Sequence, residues 1–501
     1  MQEVIVDGGP LAPSEVLAVA HRRATARAAD DLEEKLLPAR QVVENAVESG
    51  EVVYGITTGF GALANTHIGR EETETLQHNL LRSHAAGVGE PVSDALVRAM
   101  LLLRARTLAQ GHSGVRPVIV EKLLEMLERD ILPVVPSQGS VGASGDLAPF
   151  AHLALPIIGE GQVRVNGEII HPAESGLEPI RLKTKEGLSL LNGTEGMTSM
   201  GVLALEMCRN LVVAADIAAS VSVEALLGSS RPFDSAVHKL RPHPGQAVSA
   251  QRIASLLEGS AIVASHSDDY DHAVQDAYSL RCAPQVHGAV GDTLDHLEAV
   301  ISREMSSVVD NPIVFPETGE VVSGGNFHGQ PLAFALDFTT IAVAELGSIS
   351  ERRTDRMLDP TRSQGLPPFL APNAGVNSGF MISQYVQAAL VAENRILTHP
   401  ASVDSIPTSG SQEDHVSMGW GAGKKLFEVI TNVRRVLAIE ILCGTQGLDH
   451  RRPLEPAEGT GAVTRLVREH VPILEEDRSL SADIEVVASL IEDGSLTALA
   501  R

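Results

Sequence analysis

Aromatic side chains are scarce in this chain: among 501 residues there are ten phenylalanines, four tyrosines and one tryptophan, so a tyrosine in an unusual setting is conspicuous. Cysteine is scarcer than phenylalanine. Cys208, Cys282 and Cys443 lie far apart with no Cys-x-x-Cys spacing, which excludes a disulfide framework and a zinc knuckle and suits a reducing cytoplasm. Positive charge is also short. Lys and Arg number 39 against 64 Asp and Glu, a net charge of −25 that repels phosphate backbones and anionic lipid. Neither a nucleic acid nor a membrane is therefore an expected partner. The Met1-Gln-Glu-Val-Ile-Val start has no basic region followed by a sustained apolar run, so no secretory signal is expected and the expected location is cytoplasmic. The longest apolar stretch, 196–227, is broken by Glu206, Arg209, Asp216 and Glu224, which reads as a buried helix instead of a membrane span.

What is present is mostly helix. The length favours two or three subdomains, and we divide the chain at 1–190 and 191–501. Helical spacing runs from Ser14 to Glu48, with Leu32, Leu36, Val43 and Val47 on a stripe that passes Pro38 and ends at Gly50. It returns over 71–86, 94–109 and 116–130. Long, lightly charged helices follow at 196–227, 251–257, 293–305, 332–353, 379–393 and 424–443, and helices of that kind bury themselves against one another. The expected body is an elongated bundle of long helices. Sheet is minor: Val163 to Ile170 forms a hairpin around Asn166-Gly167, and 312–322 forms a second one around Glu317-Thr-Gly319.

Between those elements lies Gly139-Ser-Val-Gly-Ala-Ser-Gly-Asp-Leu-Ala-Pro-Phe150. Three small residues in a row, Ala143-Ser144-Gly145, let the backbone turn back on itself. If the Gly145 nitrogen is pressed onto the Ala143 carbonyl carbon, a five-membered ring can close, and loss of water from the ring and from Ser144 leaves an exocyclic methylene. The plainer reading is a loop entering a helix, with Ser144 or Asp146 as its N-cap.

Other places resist a purely structural reading. Tyr54-Gly-Ile-Thr-Thr-Gly-Phe-Gly61 is a glycine-rich loop that could anchor itself by its tyrosine or close over a substrate. His84 shares a helix face with Leu76 and Leu80 and so points inward, as a core histidine or as a ligand. Four polar islands interrupt the helices: Leu190-Leu-Asn192-Gly-Thr194; Gln275, Tyr278 and Arg281 within two turns; Gly324-Gly-Asn-Phe327-His328; and Ser409-Gly-Ser-Gln-Glu413-Asp-His415. Each could be a cap or a buried hydrogen-bond network.

Together these segments, from Tyr54 to Met418, resemble the aromatic amino acid ammonia-lyases, which make the electrophile 4-methylidene-imidazol-5-one (MIO) from Ala-Ser-Gly. The histidine branch fits best. Ser83-His84 stands where the tyrosine and phenylalanine enzymes carry His-Leu or Phe-Leu, and Ser411-Gln-Glu-Asp-His-Val-Ser-Met418 has a glutamate where those enzymes have a non-acidic residue. Val403-Asp-Ser-Ile-Pro407 also looks like that branch. Two places depart from the pattern: Glu195 stands where glutamine is common, and Gly329-Gln330 where some members have Ala-Glu.

The resemblance implies a fold of the ammonia-lyase and fumarase-like type, elimination of ammonia from L-histidine to give trans-urocanate, and a homotetramer whose active sites are shared between chains. It implies MIO from Ala143, Ser144 and Gly145, with no metal and no external cofactor. Tyr54 would take the β-proton, and Arg281 with nearby helix N-termini would favour its phenolate, since an ordinary phenol with a pKa near ~10 is a weak base. Arg281 would also hold the substrate carboxylate. Asn192, Gln275 and Tyr278 would hold the MIO carbonyl and the amine, Phe327 would lie beside the ring, and His84 and Glu413 would grip the imidazole. Two alternatives remain: a tyrosine or phenylalanine ammonia-lyase or aminomutase, and a non-catalytic helical assembly protein whose Ala-Ser-Gly never cyclises.

Overall fold

The computed structural model describes residues 2–63, 65–266 and 274–500. Among them eighteen α-helices carry most of the chain, and nine short strands form four small sheets. This is the mainly α, long-helix class with minor hairpins.

The N-terminal region departs from the expected continuous helical stretch over 14–48. The helix Pro13–Ala20 stops, Ala24–Ala28 runs as a strand parallel to Gln2–Val6, and only then does the helix Leu32–Ser49 begin. Alanine favours helix in isolation, but the alternate residues Ala24 and Ala26 are buried here with Val4 and Val6, so pairing overrides local propensity. The later helix does carry Pro38 inside it, and Gly50 closes it at a left-handed φ of 69°.

Two compact units are formed. One comprises Met1–Leu203, Glu298–Leu336 and Ala401–Lys424, the other Ala204–Leu297, Asp337–Pro400 and Lys425–Arg501. Each draws on three stretches, so neither coincides with a division at 190/191. In the first unit the helix Asp94–Leu108 is capped by the Ser93 hydroxyl, which accepts the Leu96 N–H at 3.3 Å. From Leu96 onward every side chain of that helix is buried, including Arg98, Arg104 and Arg106. It is a core element, and its arginines must find partners inside. The expected hairpin is present as Val163–Val165 and Glu168–Ile170. Asn166 and Gly167 have φ of 53° and 85°, the left-handed pair that a type I′ turn requires. The strand Leu132–Pro133 adds a third member to that sheet.

The second unit is built on long helices. In it Gly444 lies against Val221 and Gly447 against Ala225, where absent side chains let Gly419–His450 approach Glu195–Ala225 closely. Arg353 and Glu440, both fully buried, form a two-point ion pair at 2.5 and 2.8 Å, and the Ser222 hydroxyl donates to the same carboxylate at 2.6 Å. Deleting one member of such a pair costs about 3–5 kcal/mol, because the other is left charged and dry. The observed helices run longer than sequence spacing indicates: Gln330–Leu358 replaces 332–353, and Gly419–His450 replaces 424–443. Their ends carry polar residues that tertiary contacts keep helical.

Candidate active site

The Ala-Ser-Gly segment is a tight bend. Ser144 and Gly145 have φ of 50° and 83°, so a serine occupies the left-handed region that disfavours side chains. The bend is clamped to Gly193 by an isolated β-bridge: the Gly193 N–H donates to the Ser144 carbonyl at 3.2 Å, and the Asp146 N–H donates to the Gly193 carbonyl at 2.8 Å. A Cβ at position 145 would overlap the Gly193 carbonyl, which makes glycine obligatory there. Asp146 precedes the helix Leu147–Ala154 but does not cap it with its side chain. Its carboxylate instead accepts the Met197 N–H at 2.8 Å and faces the Ser140 hydroxyl at 3.4 Å. Burial, with Glu195 nearby adding to it, pushes this carboxyl up to about 7.

Behind Gly193 stands a buried ion pair that our reading of the sequence assigned no role, between Arg104 and Glu195. Arg104 also donates to the Ser189 carbonyl at 3.0 Å and lies over the Phe150 ring at 4.8 Å. The signals in the sequence were an arginine inside the apolar run Leu101-Leu-Leu-Arg104 and the glutamate at position 195. Asn192 is buried, and its amide donates to the Asn311 carbonyl at 2.7 Å.

The first unit also gathers the Tyr54 loop, His84 and Glu413. The phenol oxygen of Tyr54 accepts the Gly61 N–H at 3.3 Å, and the Ala62 N–H reaches the Ser409 hydroxyl at 3.4 Å, so the loop is tied to the segment that carries Glu413. Glu413 itself accepts from the Thr408 hydroxyl at 2.7 Å. His84 ends the helix Thr73–His84, which packs on Leu147–Ala154 and Glu186–Leu191. Its Nδ1 is 2.9 Å from the Leu80 carbonyl, and the Phe60 ring meets it edge-on at 6.3 Å. Burial lowers the His84 pKa, while the Leu80 carbonyl and the Glu413 carboxylate pull the other way.

Phe327 is half-buried on the loop before Gln330–Leu358. The next residue, His328, stacks on His415 with ring centroids 5.8 Å apart, joining the Phe327 loop to the Glu413 segment. Farther along that segment the Met418 N–H donates to the Val141 carbonyl at 2.9 Å, beside the bend. Tyr54, His84, the Ala143–Gly145 bend, Asn192, Phe327 and Glu413 thus all belong to the first unit.

The other three predicted site residues lie in the second unit. Tyr278 and Arg281 bound a single helical turn, with the guanidinium 4.5 Å above the phenol ring and its Nε donating to the Asp276 carbonyl at 2.9 Å. Gln275 and Tyr278 are exposed.

The predicted residues comprise a tight backbone bend, a phenol, an imidazole and a carboxylate in the first unit and an arginine fork in the second. Those groups can take a proton, hold a nitrogen-bearing ring and bind a carboxylate. The model for the aromatic amino acid lyase family matches residues 11–469. A histidine ammonia-lyase of Gloeobacter violaceus is 51% identical over 497 residues, covering 98% of this chain and 96% of that protein. Among solved structures, the histidine ammonia-lyase from Trypanosoma cruzi aligns with a TM-score of 0.91 and 42% identity, over 100% of this chain and 95% of that one. The tyrosine aminomutase from Streptomyces globisporus aligns with a TM-score of 0.93 and 39% identity, over 99% and 98%.

Proposed function

The chain belongs to the aromatic amino acid lyase family, and from that premise we infer that it removes ammonia from L-histidine to give trans-urocanate. The observation that carries the choice of substrate is the 51% identity with a histidine ammonia-lyase over nearly the full length of both chains. The fold alone does not choose, since an aminomutase shares it at a TM-score of 0.93. His84 and Glu413 support the histidine reading, because a site with two ring-nitrogen partners disfavours an apolar or phenolic ring.

The Ala143-Ser144-Gly145 bend suits the internal electrophile MIO. Its left-handed φ values and the glycine-only space at position 145 favour approach of the Gly145 nitrogen to the Ala143 carbonyl carbon. In that closure the Ala143 oxygen leaves as water with the amide hydrogens of Ser144 and Gly145, and the Ser144 hydroxyl leaves as water with its own α-hydrogen. MIO supplies an electrophilic carbon for the substrate amine, which overcomes the poor leaving ability of ammonia.

The chain's own groups do the rest. Tyr54 Oη receives the β-proton, and the N–H that Gly61 donates to it holds that oxygen in place. His84 offers Nε2 to one N–H of a protonated substrate ring, and the Glu413 carboxylate, held by Thr408, accepts the other. Arg281 keeps the ends of its fork for the carboxylate while its Nε is held by Asp276. Asn192, Gln275 and Tyr278 would hold the MIO carbonyl and the amine, and Phe327 would pack beside the MIO ring.

The working form is a homotetramer in the cytoplasm, with Gln275, Tyr278 and Arg281 of one copy completing the site of another. Exposed apolar side chains on the second unit, Phe338 and Ile341 on one helix and Ile382, Tyr385 and Val386 on another, support burial against further copies. The test is direct. The purified chain should weigh two waters less than its sequence and should form urocanate from L-histidine, with negligible product from L-tyrosine or L-phenylalanine. Full unmodified mass, or a preference for tyrosine, overturns this reading.

A further inference from the structure

A backbone that must be squeezed needs something rigid to squeeze against, and the first unit has one such object next to the bend. Gly193 touches the Ser144–Asp146 segment on one side through its N–H and its carbonyl, at 3.2 and 2.8 Å. On the other side it is so close to the Arg104 guanidinium and the Glu195 carboxylate that a Cβ at position 193 would overlap both. The order in space is therefore ion pair, Gly193, bend.

The ion pair is held from several directions. Arg104 is fully buried in the core helix Asp94–Leu108, its fork donates to the Ser189 carbonyl at 3.0 Å and to Glu195, and its face lies 4.8 Å from the Phe150 ring. Ser189 and Phe150 belong to the helices Glu186–Leu191 and Leu147–Ala154, which lead into Gly193 and out of the bend. One guanidinium thus touches the helices on both sides of the contact. A planar fork held at both Nη atoms, though its Nε has no partner, has little freedom, so it resists displacement better than an aliphatic chain of equal volume.

We propose that Arg104, braced by Glu195, is a positioning residue for the cyclisation: it backs Gly193 and so holds the Gly145 nitrogen against the Ala143 carbonyl carbon. Neither side chain reaches the reacting atoms. The part played by Glu195 is to accept hydrogen bonds from the fork, which a glutamine also does. The inference rests on the lyase reading, because it concerns how that electrophile is made.

The experiment follows the loss of two waters by intact mass during cell-free synthesis, which reads cyclisation without reading turnover. Replacing both members by apolar residues, Arg104→Met with Glu195→Met, leaves no unpaired charge and so retains the fold while softening the support. Dehydration should slow at least ~10-fold in this double variant, the scale expected when a reacting pair loses its orientation. Glu195→Gln should dehydrate within about twofold of the wild type, because the fork keeps its acceptor. Where the double variant is insoluble, Glu195→Ala carries the same expectation of slowing. A wild-type rate in the double variant, or in Glu195→Ala, overturns the proposal, as does slowing by Glu195→Gln equal to that of Glu195→Ala. A wild type that keeps its full mass overturns the lyase reading instead, whereas dehydrated wild type with equally fast variants removes only the role given to Arg104 and Glu195.

Discussion

His84 Nδ1 lies 2.9 Å from the Leu80 carbonyl and 3.1 Å from the Ser83 hydroxyl, and the carbonyl contact decides what the ring can offer a substrate. A carbonyl only accepts, so the ring proton sits on Nδ1 and Nε2 keeps its lone pair. Burial lowers its pKa and so favours the neutral ring, against the pull of the Leu80 carbonyl and Glu413. The histidine is thereby a fixed acceptor for a ring N–H.

His84→Leu should lower kcat/KM for L-histidine by ~10²-fold or more, the scale of losing one buried hydrogen bond to a polar substrate. The variant should still lose two waters. Steady-state urocanate formation, together with intact mass, checks both halves.

Tyr54→Phe should also carry the dehydrated mass but turn over ~10²-fold or more slowly, the usual contribution of a positioned base. Near-normal turnover would reduce Tyr54 to an anchor for its loop through Gly61.

Arg281→Ala should weaken use of L-histidine by ~2–5 kcal/mol and leave histidine amide much less affected, because only the former brings a carboxylate to the fork. Equal losses for the two compounds would make Arg281 a support for Tyr278, over whose ring it lies.

Asp146 predicts a pH dependence of stability. Its folded pKa of about 7 exceeds the unfolded carboxyl value of ~3.9, so between the two the folded chain holds a proton that the unfolded chain has released. Stability should therefore fall as pH rises through this window and level off above about pH 7. Asp146→Asn is always neutral and should lose that decline, so its melting temperature relative to wild type should rise with pH across the window. Glu195→Gln removes a negative neighbour and should move the decline to lower pH.

Signals local to the chain suffice for the helical class, both hairpins and the identity of the chemical groups. Periodicity locates a buried stripe such as that of Leu32–Ser49, and Asn166-Gly167 names its own turn, because those signals depend on nearest neighbours along the chain. The Ala-Ser-Gly bend was legible for the same reason, as a run of residues too small to resist it. Tertiary structure alone decided that Ala24–Ala28 is a strand, since its partner Gln2–Val6 lies eighteen residues or more away in the chain. It alone turned Asp146 from a cap of its own helix into an acceptor for Met197, and it alone set Arg104 and Glu195 behind Gly193. Contacts of that kind join residues tens of positions apart by packing, and a one-dimensional pattern carries no distance between them.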